Sequence, residues 1–116
     1  MFFALVIEPD QFKYTYGRIP NVGRKTRDVA EVFELEDDDW DLLDPEFTGA
    51  AYRICGALLD FSDIDYLDAQ QCALLQGWLD SRLQDSLEPR LQTLYGKLLE
   101  FTRRAQELGT GVVIEF

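Results

Sequence analysis

The chain has 116 residues, 47% of them apolar and 13% aromatic, which is the size and composition of one domain that can build a core without staples. Its 22 acidic residues against 11 basic ones leave a net charge of −11, which argues against nucleic acid and against anionic membrane surfaces as partners. Histidine is absent, so Ser-His-Asp and Cys-His catalysis are excluded, and the commonest zinc and copper ligand with them.

The first residues, "MFFALVI", form a short apolar run stopped by Glu8 and Pro9. They predict a buried strand, too short for a membrane span and without the basic flank of a signal peptide, so a cytoplasmic location is expected. Phe12, Tyr14 and Tyr16 alternate with Lys13 and Thr15, the pattern of a half-exposed strand with its aromatic face on the core. Gly17, Pro20 and Gly23 then mark a loop, "GRIPNVGRKTR". Val29 to Glu36 is expected to be the next strand. After an acidic run, "PEFTGAAYRICGALLDF" reads as a helix opened by Pro45 or Glu46, with Ile54, Cys55, Leu58 and Leu59 on one face. "SDIDYLD" reads as a turn whose Asp68 caps the helix "AQQCALLQGWLDSRL". The clearest helix begins at Pro89, carries the stripe Leu91, Leu94, Leu98, Phe101, Ala105, Leu108, and ends at Gly109 and Gly111. "VVIEF" is a last strand.

These elements predict a single α+β (or small α/β) domain over residues 1–116. About four strands form one sheet, with the N- and C-terminal strands central, and about three helices pack on it. Cys55 and Cys72 are too few for a structural zinc site; both are expected to be reduced and buried, a single disulfide being the alternative.

Charge is unevenly distributed. Residues 1–30 carry +2, residues 31–68 carry −12 and residues 69–116 carry −1. The middle third holds "ELEDDDWDLLDPE", Glu34 to Glu46, with eight acids and no base. Asp37, Asp39 and Asp41 match the opening of an EF-hand loop, but Leu42 replaces the turn glycine and Thr48 the closing glutamate, so a specific calcium site is not expected, nor a magnesium or manganese site. Asp60, Asp63, Asp65 and Asp68 read chiefly as helix-capping and turn residues. Arg18, Arg24, Lys25 and Arg27 lie in a glycine-containing loop that lacks P-loop spacing.

Two features single out the acidic run. Eight neighbouring like charges repel one another, and Trp40 sits among them as an interface anchor does. The resulting expectation is a small acidic protein-binding module. Most concretely it is an inhibitor or immunity-type protein neutralising a basic partner such as a nuclease toxin, with no cofactor and no enzymatic activity. The expected partner-binding residues are Glu36, Asp37, Asp38, Asp39, Trp40, Asp41 and Asp44, with Asp63 and Asp65 from the second cluster. The alternatives are a carboxylate-based metal-dependent hydrolase or transferase, which needs the two clusters to converge on one cleft, and a structural homo-oligomeric subunit.

Overall fold

A computed structural model describes every residue from Met1 to Phe116. In chain order the elements are β1 (Phe2–Val6), β2 (Tyr14–Thr15), β3 (Ile19–Pro20), β4 (Ala30–Glu34), α1 (Asp39–Leu43), α2 (Phe47–Cys55), β5 (Ile64–Leu67), α3 (Ala69–Arg82), α4 (Pro89–Leu108) and β6 (Val112–Glu115). Four strands make one antiparallel sheet in the order β4-β1-β6-β5. The two most apolar strands are therefore central, as their hydrophobicity demands, and the fold is α+β.

The period-two alternation of β1 divides its side chains between two layers. Phe3 and Leu5 point into the main core, where they meet Leu43, Phe47, Leu75, Leu79, Leu94, Leu98 and Phe101 from the helices. Ala4 and Val6 face the other way, against Phe12, Ile19, Ala30 and Val113. The sheet thus has a thick helical layer on one side and a thin layer from residues 9–29 on the other. Burying a Leu or Phe side chain contributes about 1.5–3 kcal/mol, so the helical layer supplies most of the stability.

Helix ends follow local chemistry. Asp68 and Gln71 form a capping box on α3, the Gln71 N–H donating to the Asp68 carboxylate at 2.8 Å. Glu88 accepts from the Leu91 N–H at 3.0 Å, just ahead of Pro89. Gly109 ends α4 in the left-handed region, at φ 70°. Gly111 has a different role: a Cβ there would run into the Leu67 carbonyl and the Tyr66 ring, so only glycine lets β6 enter beside β5.

Four sequence expectations change. The aromatic strand is not in the main sheet. Tyr16 (φ 56°) and Gly17 (φ 68°) both adopt left-handed backbone, folding β2 back on β3 in a small hairpin. Phe12 and Ile19 are buried, while Tyr14 and Tyr16 face solvent. The segment read as the turn "SDIDYLD" contains β5, because the edge of β6 offers its backbone hydrogen bonds to Ile64–Leu67. The helix expected to run on to Phe61 stops at Cys55, where Gly56 turns left-handed at φ 72°. Finally, the acidic run contains a helix of its own, α1. No helix is long and apolar enough to cross a membrane.

Candidate functional site

The acidic segment divides into carboxylates that hold the fold and carboxylates that face water. Asp39 is 1% exposed. Its side chain accepts the Glu36 N–H at 2.8 Å and a fork of two bonds from the Arg90 guanidinium on α4, at 2.9 and 2.8 Å. The Arg90 hydrogen bond holds the Asp39 carboxyl below the usual carboxylate range, against the opposing effect of burial. Glu46 makes the second attachment: one carboxylate oxygen accepts from Arg82 Nε on α3 at 2.9 Å and from the Tyr95 hydroxyl on α4 at 2.8 Å. Burial, and then that bond to Glu46, raises the Tyr95 phenol well above its ordinary range.

Asp39 is therefore no partner-binding residue; it fastens α1 to α4. Trp40 also departs from expectation. It is half-buried, with its ring 4.8 Å from Phe116 edge-on and 5.7 Å from Phe61. Leu43 and Phe47 are fully buried beside it. Of the apolar residues threaded through the acids, Trp40 and Leu43, three apart, share one face of α1, and Phe47 opens α2 beside them. That spacing was the signal for α1, obscured by the density of aspartates.

Glu36, Asp37, Asp38, Asp41 and Asp44 remain exposed, and none is within ion-pair distance of a base. In the second cluster, Asp65 is withdrawn: its side chain, 13% exposed, pairs with Arg18 at 2.7 Å and accepts the Tyr66 N–H at 2.7 Å. It too is corrected from a partner contact to an internal one. Asp60 and Asp63 stay exposed while each accepts the N–H of the following residue, both at 2.8 Å. The Phe116 N–H donates to the Asp63 carbonyl at 3.0 Å. Phe116 and Phe61 both touch Trp40, so the two acidic clusters are joined through one aromatic group.

Between α2 and the turn at residues 56–63 lies an open groove of about 460 Å³, lined by Thr48, Gly49, Tyr52, Ala57, Leu58, Leu59, Asp60 and Asp63. Tyr52 and Leu58 in its wall are 60% and 68% exposed, and the adjacent Phe61 is 59% exposed. Asp44 borders it, its carbonyl accepting the Thr48 hydroxyl at 3.0 Å. Large apolar side chains are thus concentrated at this one exposed place, rather than scattered singly. Sequence reading passed over Tyr52, Leu58 and Phe61 because it carried α2 past Gly56, which places Leu58 on a buried helix face. A glycine positioned as a helix C-cap was the signal available.

No three His, Cys, Asp or Glu side chains come together as a metal ligand set; Asp39, the middle member of the EF-hand-like triplet, is turned inward to Arg90. Both thiols are free. Cys72 is buried, and burial pushes its thiol up to about 12. No model of a known protein family, no curated protein and no solved structure matches this chain.

Proposed function

We propose that the chain is an acidic protein-binding module acting in the cytoplasm, with the groove beside α2 as its contact surface. The observation that carries this reading is the juxtaposition of Tyr52, Leu58 and Phe61, all exposed, with the unpaired carboxylates Asp44, Asp60 and Asp63. An apolar centre with a charged rim is the anatomy of a protein interface. The apolar side chains supply affinity once desolvated, and the carboxylates attract and orient a basic segment. Asp37, Asp38 and Asp41 on the adjoining segment extend the negative field. In its most concrete form the partner is the basic, nucleic-acid-binding surface of a nuclease, and the chain is an inhibitor of the immunity type.

The test is retention of lysate proteins on the immobilised chain at low and physiological salt. Wild type would be compared with Tyr52→Ala/Leu58→Ala and with Asp44→Asn/Asp60→Asn/Asp63→Asn. Asparagine keeps the carbonyl that accepts the Phe61 and Ile64 N–H bonds, so the second variant removes charge with little change of backbone. Support consists of a retained basic protein whose nuclease activity falls when the chain is added, and whose retention drops at least tenfold in both variants. A partner of neutral or acidic character, or one held equally by all three forms, would overturn the proposal.

A further inference from the structure

The thin layer on the far face of the sheet carries a second, chemically opposite feature. Lys13, Arg24, Lys25 and Arg53 are the cationic side chains with no carboxylate within 4.0 Å. Acids outnumber bases two to one in this chain, and every other base has found a carboxylate partner. Three of the four exceptions lie within residues 13–25, and two of them, Lys13 and Lys25, line one pocket. The pocket measures about 290 Å³, and its wall has no apolar side chain and no carboxylate. Gln11, Asn21, Gly23 and Thr26 complete it.

Its backbone and hydroxyl donors are engaged within the loop, which fixes the side chains that line it. The Thr15 hydroxyl donates to the Asn21 side-chain carbonyl, which leaves the Asn21 amide NH₂ as the free end of that side chain. The Asn21 N–H donates to the Lys13 carbonyl at 2.8 Å, tying the residue before β2 to the residue after β3. The Gly23 N–H donates to Thr26 Oγ1 at 2.8 Å, holding the turn that presents Lys25. Two lysines and two side-chain amides thus line one open space, large enough for a tetrahedral oxyanion.

We propose that this pocket binds a phosphate group, either free phosphate or the terminal phosphate of a small ester, held by Lys13 and Lys25 as point charges and by Gln11 and Asn21 as hydrogen-bond donors. It lies on the layer opposite the helices and uses none of the residues of the groove beside α2, so the two sites are independently testable.

The experiment is a titration of the ¹⁵N-labelled full chain, followed by amide chemical shifts. Inorganic phosphate and O-phosphoserine are the ligands, with sodium chloride at matched ionic strength as the reference. Saturable shifts centred on Asn21, Gly23 and Thr26 are expected with phosphate and not with chloride. Lys13→Gln and Lys25→Gln should each weaken the response at least fivefold with the rest of the spectrum unchanged. Tighter binding of phosphoserine identifies an ester as the ligand; equal binding identifies the free anion. Shifts that follow ionic strength alone, or persist at wild-type affinity in both lysine variants, would overturn the site.

Discussion

The acidic segment 34–46 and the basic excursion 9–29 are both dense in charge, and both connect strands of the same sheet, yet they are held in different ways. The acidic segment folds into α1 and the start of α2 and is fixed from two sides, by Arg90 on Asp39 and by Arg82 with Tyr95 on Glu46. Beneath it lie Leu43 and Phe47, both fully buried. The basic excursion has the 3.3 Å Arg27–Glu34 pair between two exposed side chains and the Arg18–Asp65 pair, and it packs on the sheet through little more than Phe12 and Ile19. A run of like charge is thus not one thing. Where an amphipathic stripe runs through it, a few members become internal anchors and the rest remain free; where none does, the charges stay at the surface.

The strongest way to break this contrast is Arg90→Leu. It leaves the buried Asp39 carboxylate without its partner, and removal of one member of a buried pair costs about 3–5 kcal/mol. Because Arg90 is itself partly exposed, about 2–3 kcal/mol is expected, read as a lower urea midpoint at unchanged slope. A midpoint equal to wild type would show that the α1 attachment is not structural. Next comes Tyr95→Phe, which takes a hydroxyl donor from the half-buried Glu46 carboxylate and is expected to cost about 1 kcal/mol.

Acid is a third probe of the same attachment. The Asp39 carboxyl titrates lower in the folded chain than in the unfolded one, so the folded state binds fewer protons there. The stabilisation is complete above the unfolded value near pH 4 and disappears as pH falls through the lower folded value. Urea midpoints of wild type should therefore drop below about pH 4, and Arg90→Leu should lose most of that dependence. Equal slopes with pH in the two proteins would contradict the assignment.

Smaller effects sharpen the other side of the comparison. Arg18→Gln in the basic excursion should cost about 1 kcal/mol or less, as exposed pairs do. Changing Asp37, Asp38, Asp41 and Asp44 to Asn while keeping Asp39 should alter stability by about 0.5 kcal/mol or less, in the stabilising direction, with the gain vanishing at 1 M salt. Destabilisation by that set would mean that these carboxylates have internal partners after all.

The fold was legible where one local rule acted alone. Val112–Ile114 and Phe2–Val6 declared themselves by uninterrupted apolar runs, α3 by Asp68, and α4 by Pro89, its leucine stripe and Gly109. Legibility failed where a long-range partner overrode the local pattern. Ile64–Leu67 carries Asp65 among its apolar residues, is flanked by Asp63 and Asp68, and becomes a strand because β6 presents an open edge. Tyr14 leaves the main sheet because Tyr16 and Gly17 reverse the chain. The acidic character of the site was readable, but the allocation of its members was not, since nothing in "EDDDWD" distinguishes Asp39 from Asp38. Arg90, which makes the distinction, lies fifty-one residues away.

The central position of β6 bears on how the chain reaches this state. Residues 112–115 pair with residues 2–5 on one side and with 64–67 on the other, so β5 has no strand neighbour until β6 arrives. Closing a loop of roughly a hundred residues carries an entropic penalty that only the finished sheet offsets. Until it closes, β1 presents an unpaired apolar edge, the template on which chains join one another. A nascent or shortened chain lacking "VVIEF" is accordingly an aggregation hazard rather than a smaller version of the same domain, and refolding yield should fall steeply with protein concentration.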